Sequence, residues 1–440
     1  MCDLAVDMHA INQLENGKTQ NRIFWLVIVI LAITMIFFQC SLNIRDYVSS
    51  KPVTSTSTVR DITLQMPALT ICPPGNDYWD FAAIQQSGYN ASLRDLDTFL
   101  QVMGRGYSKP HWVTQLYYLD NREQLFQSFE QLANNNTIEF VLKYGLQCKH
   151  FLLACKKQEE VSIECCQLTT PIFSPESGLC YKFVRNITTS IGSHQRFEIL
   201  LTGNMSNFHY FEGRELGAPE DLQALGYPME ISHLDEIGGG KIFIASGLSA
   251  IPGKWNQLHV QASKVKRIPG RGLHCKRETA WAPDCENQCK EQLEYEDCGC
   301  NLQLEQPSRT CSPRQLVDCY ADMNFSYISA RMEKCIGDCF EVPACASWSF
   351  KTQSSILDIP PAITRSFTYS FPDGQFTTIA LNSDAMYLLE VVEVPQSLNN
   401  LISLIGGQMG VWLGCSMITI LQIIWRIYLT KCPSHRVRSA

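Results

Sequence analysis

Long uncharged apolar runs are nearly absent from this 440-residue chain; residues 23–42 and 401–425 are the two that occur. A basic excess is absent as well. Lys and Arg number 36 against 43 Asp and Glu, a formal net charge of −7, which offers no electrostatic footprint for a nucleic acid. There is no G-x-S-x-G, no H-E-x-x-H and no P-loop. The nucleophile elbow, zinc-protease helix and phosphate cradle that those spacings build are therefore excluded, and an enzyme is not expected. The 9 histidines are scattered and unpaired in sequence, which fits surface or structural roles. No internal repeat or low-complexity block breaks the chain.

What is present starts with the two runs. Each is long enough to cross a ~30 Å hydrocarbon core as a helix, which takes about 20 residues. The first reads as a retained membrane helix rather than a signal peptide, because its apolar run is too long and 35–40 is a poor small-residue cleavage site. Two spans place both termini on one side. Arg426, Lys431, Arg436 and Arg438 face no acid in the C-terminal tail, which puts that side in the cytoplasm. The boundaries are then a cytoplasmic tail at 1–22, a span at 23–43, an extracellular domain at 44–400, a span at 401–425 and a cytoplasmic tail at 426–440.

Cysteines and sequons support that topology. Of 20 cysteines, those from Cys72 to Cys345 lie in the middle segment, a dense, even set that reads as disulfides in an oxidising compartment rather than as zinc ligands. The N-glycosylation sequons, at Asn90, Asn135, Asn186, Asn204 and Asn324, fall there too. The segment "VTSTSTVRDITLQMPALTIC" suits extended strand, "REQLFQSFEQLA" an amphipathic helix, and "KIFIAS" and "NQLHVQAS" strands. The densest cysteine block, residues 275–345, suggests helices stapled to each other. The acids of "DCENQCKEQLEYED" are either a solvated helix face or carboxylates that pair with other acids and titrate near neutral pH.

The second run holds "GGQMGVWLGCS", with Gly406, Gly410 and Gly414 four residues apart. On a helix they form one small-residue stripe. It serves either as a packing face between membrane helices or as an interrupted helix whose freed carbonyls and Ser416 hydroxyl line a water-filled path.

At these residues the chain resembles the degenerin/epithelial sodium channel family, which includes the acid-sensing ion channels and is also called the amiloride-sensitive sodium channel family. The second span is similar to its GG-Q-x-G approach and G-x-S tract. "MPALTIC" resembles F-P-A-x-T-x-C, with Met66 for the usual Phe. "GLCYKF" resembles G-x-C-Y-x-F-N, with Val184 for Asn. The C-x3-C, C-x-C and C-x7-C spacings at Cys285/Cys289, Cys298/Cys300 and Cys311/Cys319 match its thumb domain.

The resemblance implies a two-span membrane protein with a disulfide-rich α+β extracellular domain shaped like a clenched hand, strand-rich in the palm and helical in finger and thumb. It implies a trimer, of this chain alone or with related subunits, at the plasma membrane. It implies a gated sodium-preferring pore with no cofactor. Gly414, Cys415 and Ser416 would be the selectivity tract, Gly406, Gly407 and Gly410 its approach, and Ser403 the outer gate position. The inner pore departs from the family at His9-Ala10, where His-Gly is usual, and at Gln422, where an acid is usual. Those departures keep open a modulatory subunit that does not conduct. By order, the resemblance pairs Cys72 with Cys180, Cys148 with Cys155, Cys275 with Cys345, Cys285 with Cys339, Cys289 with Cys335, Cys298 with Cys319 and Cys300 with Cys311. Cys165 and Cys166 are left over, to bridge each other or to re-pair locally.

Overall fold

A computed structural model of the chain describes residues 19–59, 64–65, 67–73, 79–89, 92, 96, 122–157, 164–174, 178–184, 188–189, 195–202, 226–233, 248–270, 273–275, 289, 292–293, 295–300, 310–322, 330–331, 333–335, 337, 342–359, 376–383 and 388–413. In chain order these form α1 (Thr19–Val48), β1 (Pro52–Val59), β2 (Leu64–Gln65), β3 (Ala68–Ile71), α2 (Phe81–Gln86), α3 (Arg122–Leu132), α4 (Thr137–Tyr144), α5 (Cys148–Phe151) and β4 (Leu152–Lys157). After a 3-10 turn (Cys165–Leu168) come β5 (Thr169–Ser174), β6 (Gly178–Phe183), β7 (Thr188–Thr189), β8 (Gln195–Thr202), β9 (Tyr227–Ser232), β10 (Ser249–Ala250) and β11 (Lys254–Arg267). The last are α6 (Pro313–Asp322), β12 (Ala346–Asp358), β13 (Phe376–Ser383), β14 (Leu388–Pro395) and α7 (Leu398–Leu413). The chain divides into two compact units, one of Met1–Ser55, Arg267–Cys275 and Val392–Ala440, the other of Thr56–Lys266 and Lys276–Val391.

The first unit is a pair of helices with a small clip. Within α1, Leu26–Val48 is the one stretch among the described residues long and apolar enough to cross a membrane. At 1.5 Å per residue its 23 residues reach roughly 35 Å, beyond a ~30 Å hydrocarbon core. Phe37 and Phe38 stay exposed, whereas Ala32 is buried. Below α7, the 267–275 segment holds the end of β14: Arg267 Nε pairs with Glu393 Oε2 at 2.8 Å, and Ile268 N donates to Glu393 O at 2.9 Å. A side chain at Gly270 would run into the Pro395 ring, so only glycine lets the two segments close.

Among the described residues the second unit is built on two large sheets, with β2 and β7 pairing as a short third. In the first, β11 runs antiparallel to β12 from Lys254↔Asp358 to Lys266↔Ala346 and parallel to β13, which pairs antiparallel with β8, and β8 with β4. In the second, the order is β10-β9-β3-β6-β5, and β3 and β6 are buried along their whole length. Alternation explains its core: Leu69 and Ile71 on β3, Tyr181 and Phe183 on β6 and Met229 on β9 share one hydrophobic cluster with Phe151 and Phe197.

Helices α3 and α4 add an aromatic layer, with Phe129 to Phe140 at 4.5 Å and Phe140 to Tyr144 at 5.0 Å between ring centroids. Their tight connection needs left-handed backbone at Asn134 (φ 50) and Asn135 (φ 56), which asparagine tolerates better than most residues. Asn136 then caps α4, its Oδ1 accepting from Ile138 N at 3.0 Å and Glu139 N at 3.2 Å. Thr137 is fully buried and its Oγ1 donates to Cys311 O at 2.8 Å, which ties α4 to the cysteine block.

The buried Tyr227 phenol donates to Thr202 O at 2.9 Å, and desolvation pushes its pKa up to about 12. Burial raises Tyr181 in the same direction. An unfolded tyrosine ionises at about 10. The unfolded chain therefore binds fewer protons from about pH 10 to 12, and stability is complete below that window and falls as pH rises through it. Tyr227→Phe should shallow the alkaline loss in the solubilised full chain, read by circular dichroism. An unchanged slope would contradict the assignment.

Candidate functional site

Helix α7 meets α1 along one face. At about 100° per residue, Leu401, Ile405, Gln408 and Trp412 line up within a narrow arc. Leu401 is buried and Ile405 and Gln408 are half-buried. Two polar contacts lock this face: Trp412 Nε1 donates to Gln39 Oε1 at 3.0 Å, and Cys40 Sγ donates to Gln408 Oε1 at 3.8 Å. Asn43 Nδ2 is buried with no partner among the described residues, while two hydroxyls of α1 are satisfied within the helix, Thr34 Oγ1 donating to Ile30 O at 2.8 Å and Ser41 Oγ to Phe38 O at 2.7 Å. Such pairing is what an apolar surrounding demands.

The opposite arc carries Ser403, Gly406, Gly407 and Gly410. A methyl group added at Gly406 or Gly407 would meet nothing within 4 Å. Gly406 and Gly407 thus do not serve the α1–α7 contact; they leave open backbone on the other side. Gly414, Cys415, Ser416, Gln422, His9 and Ala10 lie outside the described residues. Neither Gln39 nor Trp412 was singled out from sequence, although a carboxamide inside an uncharged apolar run was the signal available.

Among the described residues of the second unit, the expected disulfides Cys72–Cys180, Cys289–Cys335, Cys298–Cys319 and Cys300–Cys311 are formed. Cys275 and Cys345 are both disulfide-bonded; Cys285 and Cys339 lie outside the described residues. One expected pair is corrected. Cys148 bonds Cys166 and Cys155 bonds Cys165, so Cys148 and Cys155 do not bridge each other. The reason is geometric. Neighbouring residues have Cα atoms about 3.8 Å apart, short of the usual ~4.4–6.8 Å of a disulfide, so Cys165 and Cys166 are poorly placed to bridge each other. On the 3-10 turn successive side chains point in different directions, and each reaches a separate partner, at Cα separations of 5.2 and 5.8 Å.

Charged contacts reinforce the bridges. Arg314 on α6 forks onto Glu123 of α3 at 3.2 and 2.9 Å, lies 3.5 Å from Glu130, and its guanidinium sits 4.8 Å from the Phe126 ring centroid. The Glu123 hydrogen bond, ahead of the neighbouring acids, raises the Arg314 pKa. Among the acids of 284–297, Glu296 and Asp297 both face Arg331, whose Nη1 reaches Asp297 Oδ1 at 2.7 Å and whose Nη2 reaches Glu296. These two carboxylates pair with a guanidinium, not with other acids. Of the sequon asparagines, Asn135 is exposed; Asn90, Asn186, Asn204 and Asn324 lie outside the described residues.

The model of one protein family, "Amiloride-sensitive sodium channel", matches residues 5–425. The chain belongs to that family. Similar members of the amiloride-sensitive sodium channel family include zebrafish acid-sensing ion channel 1C, 22% identical over 93% of this chain and 79% of that one. Chicken acid-sensing ion channel 1 is 22% identical over 94% and 80%. Dog epithelial sodium channel subunit beta is 24% identical over 70% and 51%. The chain is therefore a membrane-resident ion-channel-family protein, with a strand-rich domain crossed by disulfides. Among solved structures, a proton-activated chloride channel covers 92% of this chain and 96% of its own at a TM-score of 0.28 and 10% identity, an overlap too loose to bear on the fold.

Proteolytic mapping of the non-reduced protein should return Cys148–Cys166 and Cys155–Cys165 peptides. A Cys148–Cys155 peptide, the order implied by family resemblance, would contradict the cross-paired turn.

Proposed function

We propose that the chain is a pore-forming subunit of a gated, sodium-preferring cation channel of the plasma membrane. It crosses the bilayer twice, through α1 and through a second span at 401–425 that begins in α7, with both termini cytoplasmic. Three subunits, of this chain or of this chain with family relatives, surround the path. One observation carries the reading: Ser403, Gly406, Gly407 and Gly410 share the arc of α7 turned away from α1, where a side chain at Gly406 or Gly407 would meet open space. Smooth backbone on that arc suits three helices converging around an ion path, while bulky Leu401, Ile405 and Trp412 occupy the other arc.

In this reading the tract Gly414, Cys415 and Ser416 offers carbonyl and hydroxyl oxygen to an ion shedding water, and Ser403 sits at the outer gate. Sodium is the permeant ion and no cofactor takes part. Gln422 favours a second reading. Without a ring of carboxylates below the tract the cation-attracting field weakens, as suits a modulatory subunit that assembles with conducting relatives.

Expression of the chain alone in a cell without such current, with surface arrival confirmed, should give a sodium-preferring, amiloride-blocked current that grows with Ser403→Phe. Silence at the surface in both forms would overturn homomeric conduction and favour the second reading. Ser416→Ala should shift the sodium-to-potassium permeability ratio; an unchanged ratio in a conducting variant would remove Ser416 from the tract.

A further inference from the structure

We propose that Gln39 and Trp412 are positioning residues of the ion path: their hydrogen bond, with the Cys40–Gln408 contact one turn away, sets the rotation of α7 about its own axis. The inference rests on the conducting role above and goes beyond it by naming what aims the helix. Gln408 and Trp412 are four residues apart and so stack on one face. Their partners are adjacent on α1, so the two contacts form successive rungs, 3.8 and 3.0 Å long, between the same helices.

The clasp matters because apolar packing alone leaves α7 free to roll. Lipid tails are as apolar as leucine, so Leu401 and Ile405 gain little by facing α1 rather than lipid, and direction between membrane helices comes from packing shape and polar pairs. An indole N–H or a carboxamide turned toward hydrocarbon loses its partner with no water to replace it. Rolling α7 by about 100°, one residue's worth, would break both rungs and swing the glycine arc toward α1 or lipid. Trp412 also lies two residues before Gly414 in sequence, next to the proposed tract. The polar groups hold the face that does not conduct, which leaves Ser403 and glycine backbone on the conducting face.

The test has a chemical arm and an electrical arm, both on the full chain at the cell surface. In the chemical arm, Gln408→Cys is treated with a short bis-methanethiosulfonate reagent. The expected product is an intrachain link to Cys40, mapped by proteolysis and mass spectrometry and lost in Cys40→Ser. No link would overturn the clasp itself. In the electrical arm, carried in the Ser403→Phe background, Gln39→Leu and Trp412→Phe should each shift the open-to-closed ratio by about threefold to tenfold, the span set by hydrogen bonds measured between membrane helices. The double variant should shift it no further than either alone, and Gln39→Glu, which keeps an acceptor, should restore most of the ratio. Additive shifts, or ratios that do not move, would overturn the positioning role. A link that forms in a chain silent in every background would sink the conducting role and the positioning role with it, while the clasp's geometry stands.

Discussion

A tryptophan on an apolar helix carries one obligation, an acceptor for its indole N–H, and Gln39 meets it for Trp412. That contact, with Cys40 on Gln408, decides which arc of α7 lies against α1. The consequence follows from helical spacing alone. Gln408 and Trp412 bond to α1 and share their arc with Leu401 and Ile405, so Ser403, Gly406, Gly407 and Gly410 are left on the opposite one. Glycines weaken a helix by about 1 kcal/mol each relative to alanine, and at Gly406 and Gly407 no close contact offsets that cost. A conducting role gives that cost a purpose.

The second unit meets a different constraint. Its strands are joined through long excursions, and its cysteines close those excursions covalently at many points. The staples are distributed by depth. Cys155–Cys165 and Cys300–Cys311 are buried, while Arg314 on Glu123 and Arg331 on Glu296 and Asp297 bind partly exposed helices and loops to each other. Single exposed ion pairs are worth about 0–1 kcal/mol, but a forked guanidinium that also covers an aromatic ring holds geometry better than it holds energy. Opposite charges join these elements at the described contacts.

Much of this was legible from sequence, for identifiable reasons. The long apolar run gave α1, and "REQLFQSFEQLA" gave α3, because Leu125, Phe126 and Phe129 recur at helical spacing and are buried. "NQLHVQAS" gave the middle of β11 through its alternation. "KIFIAS" lies outside the described residues. The Cys165–Cys166 cross-pairing was missed because order-based pairing treats each cysteine alone, whereas adjacency disfavours a mutual bridge and leaves each sulfur to find its own partner. The Gln39–Trp412 contact was illegible for another reason. It joins residues 373 apart, and nothing in either local pattern names its partner. The small stripe was visible, but which side of α7 it occupied relative to α1 required the helix pair.

A conducting role requires that the Ser403–Gly406–Gly410 arc of α7 border water while the Leu401–Ile405 arc does not. Cysteine substitution at these five positions, on a Cys40→Ser background in intact cells, with a charged thiosulfonate added to the bath, measures it directly. Rapid modification is expected at positions 403, 406 and 410, and slow or no modification at 401 and 405. Equal rates around the helix, or faster reaction on the Leu401–Ile405 arc, would contradict it.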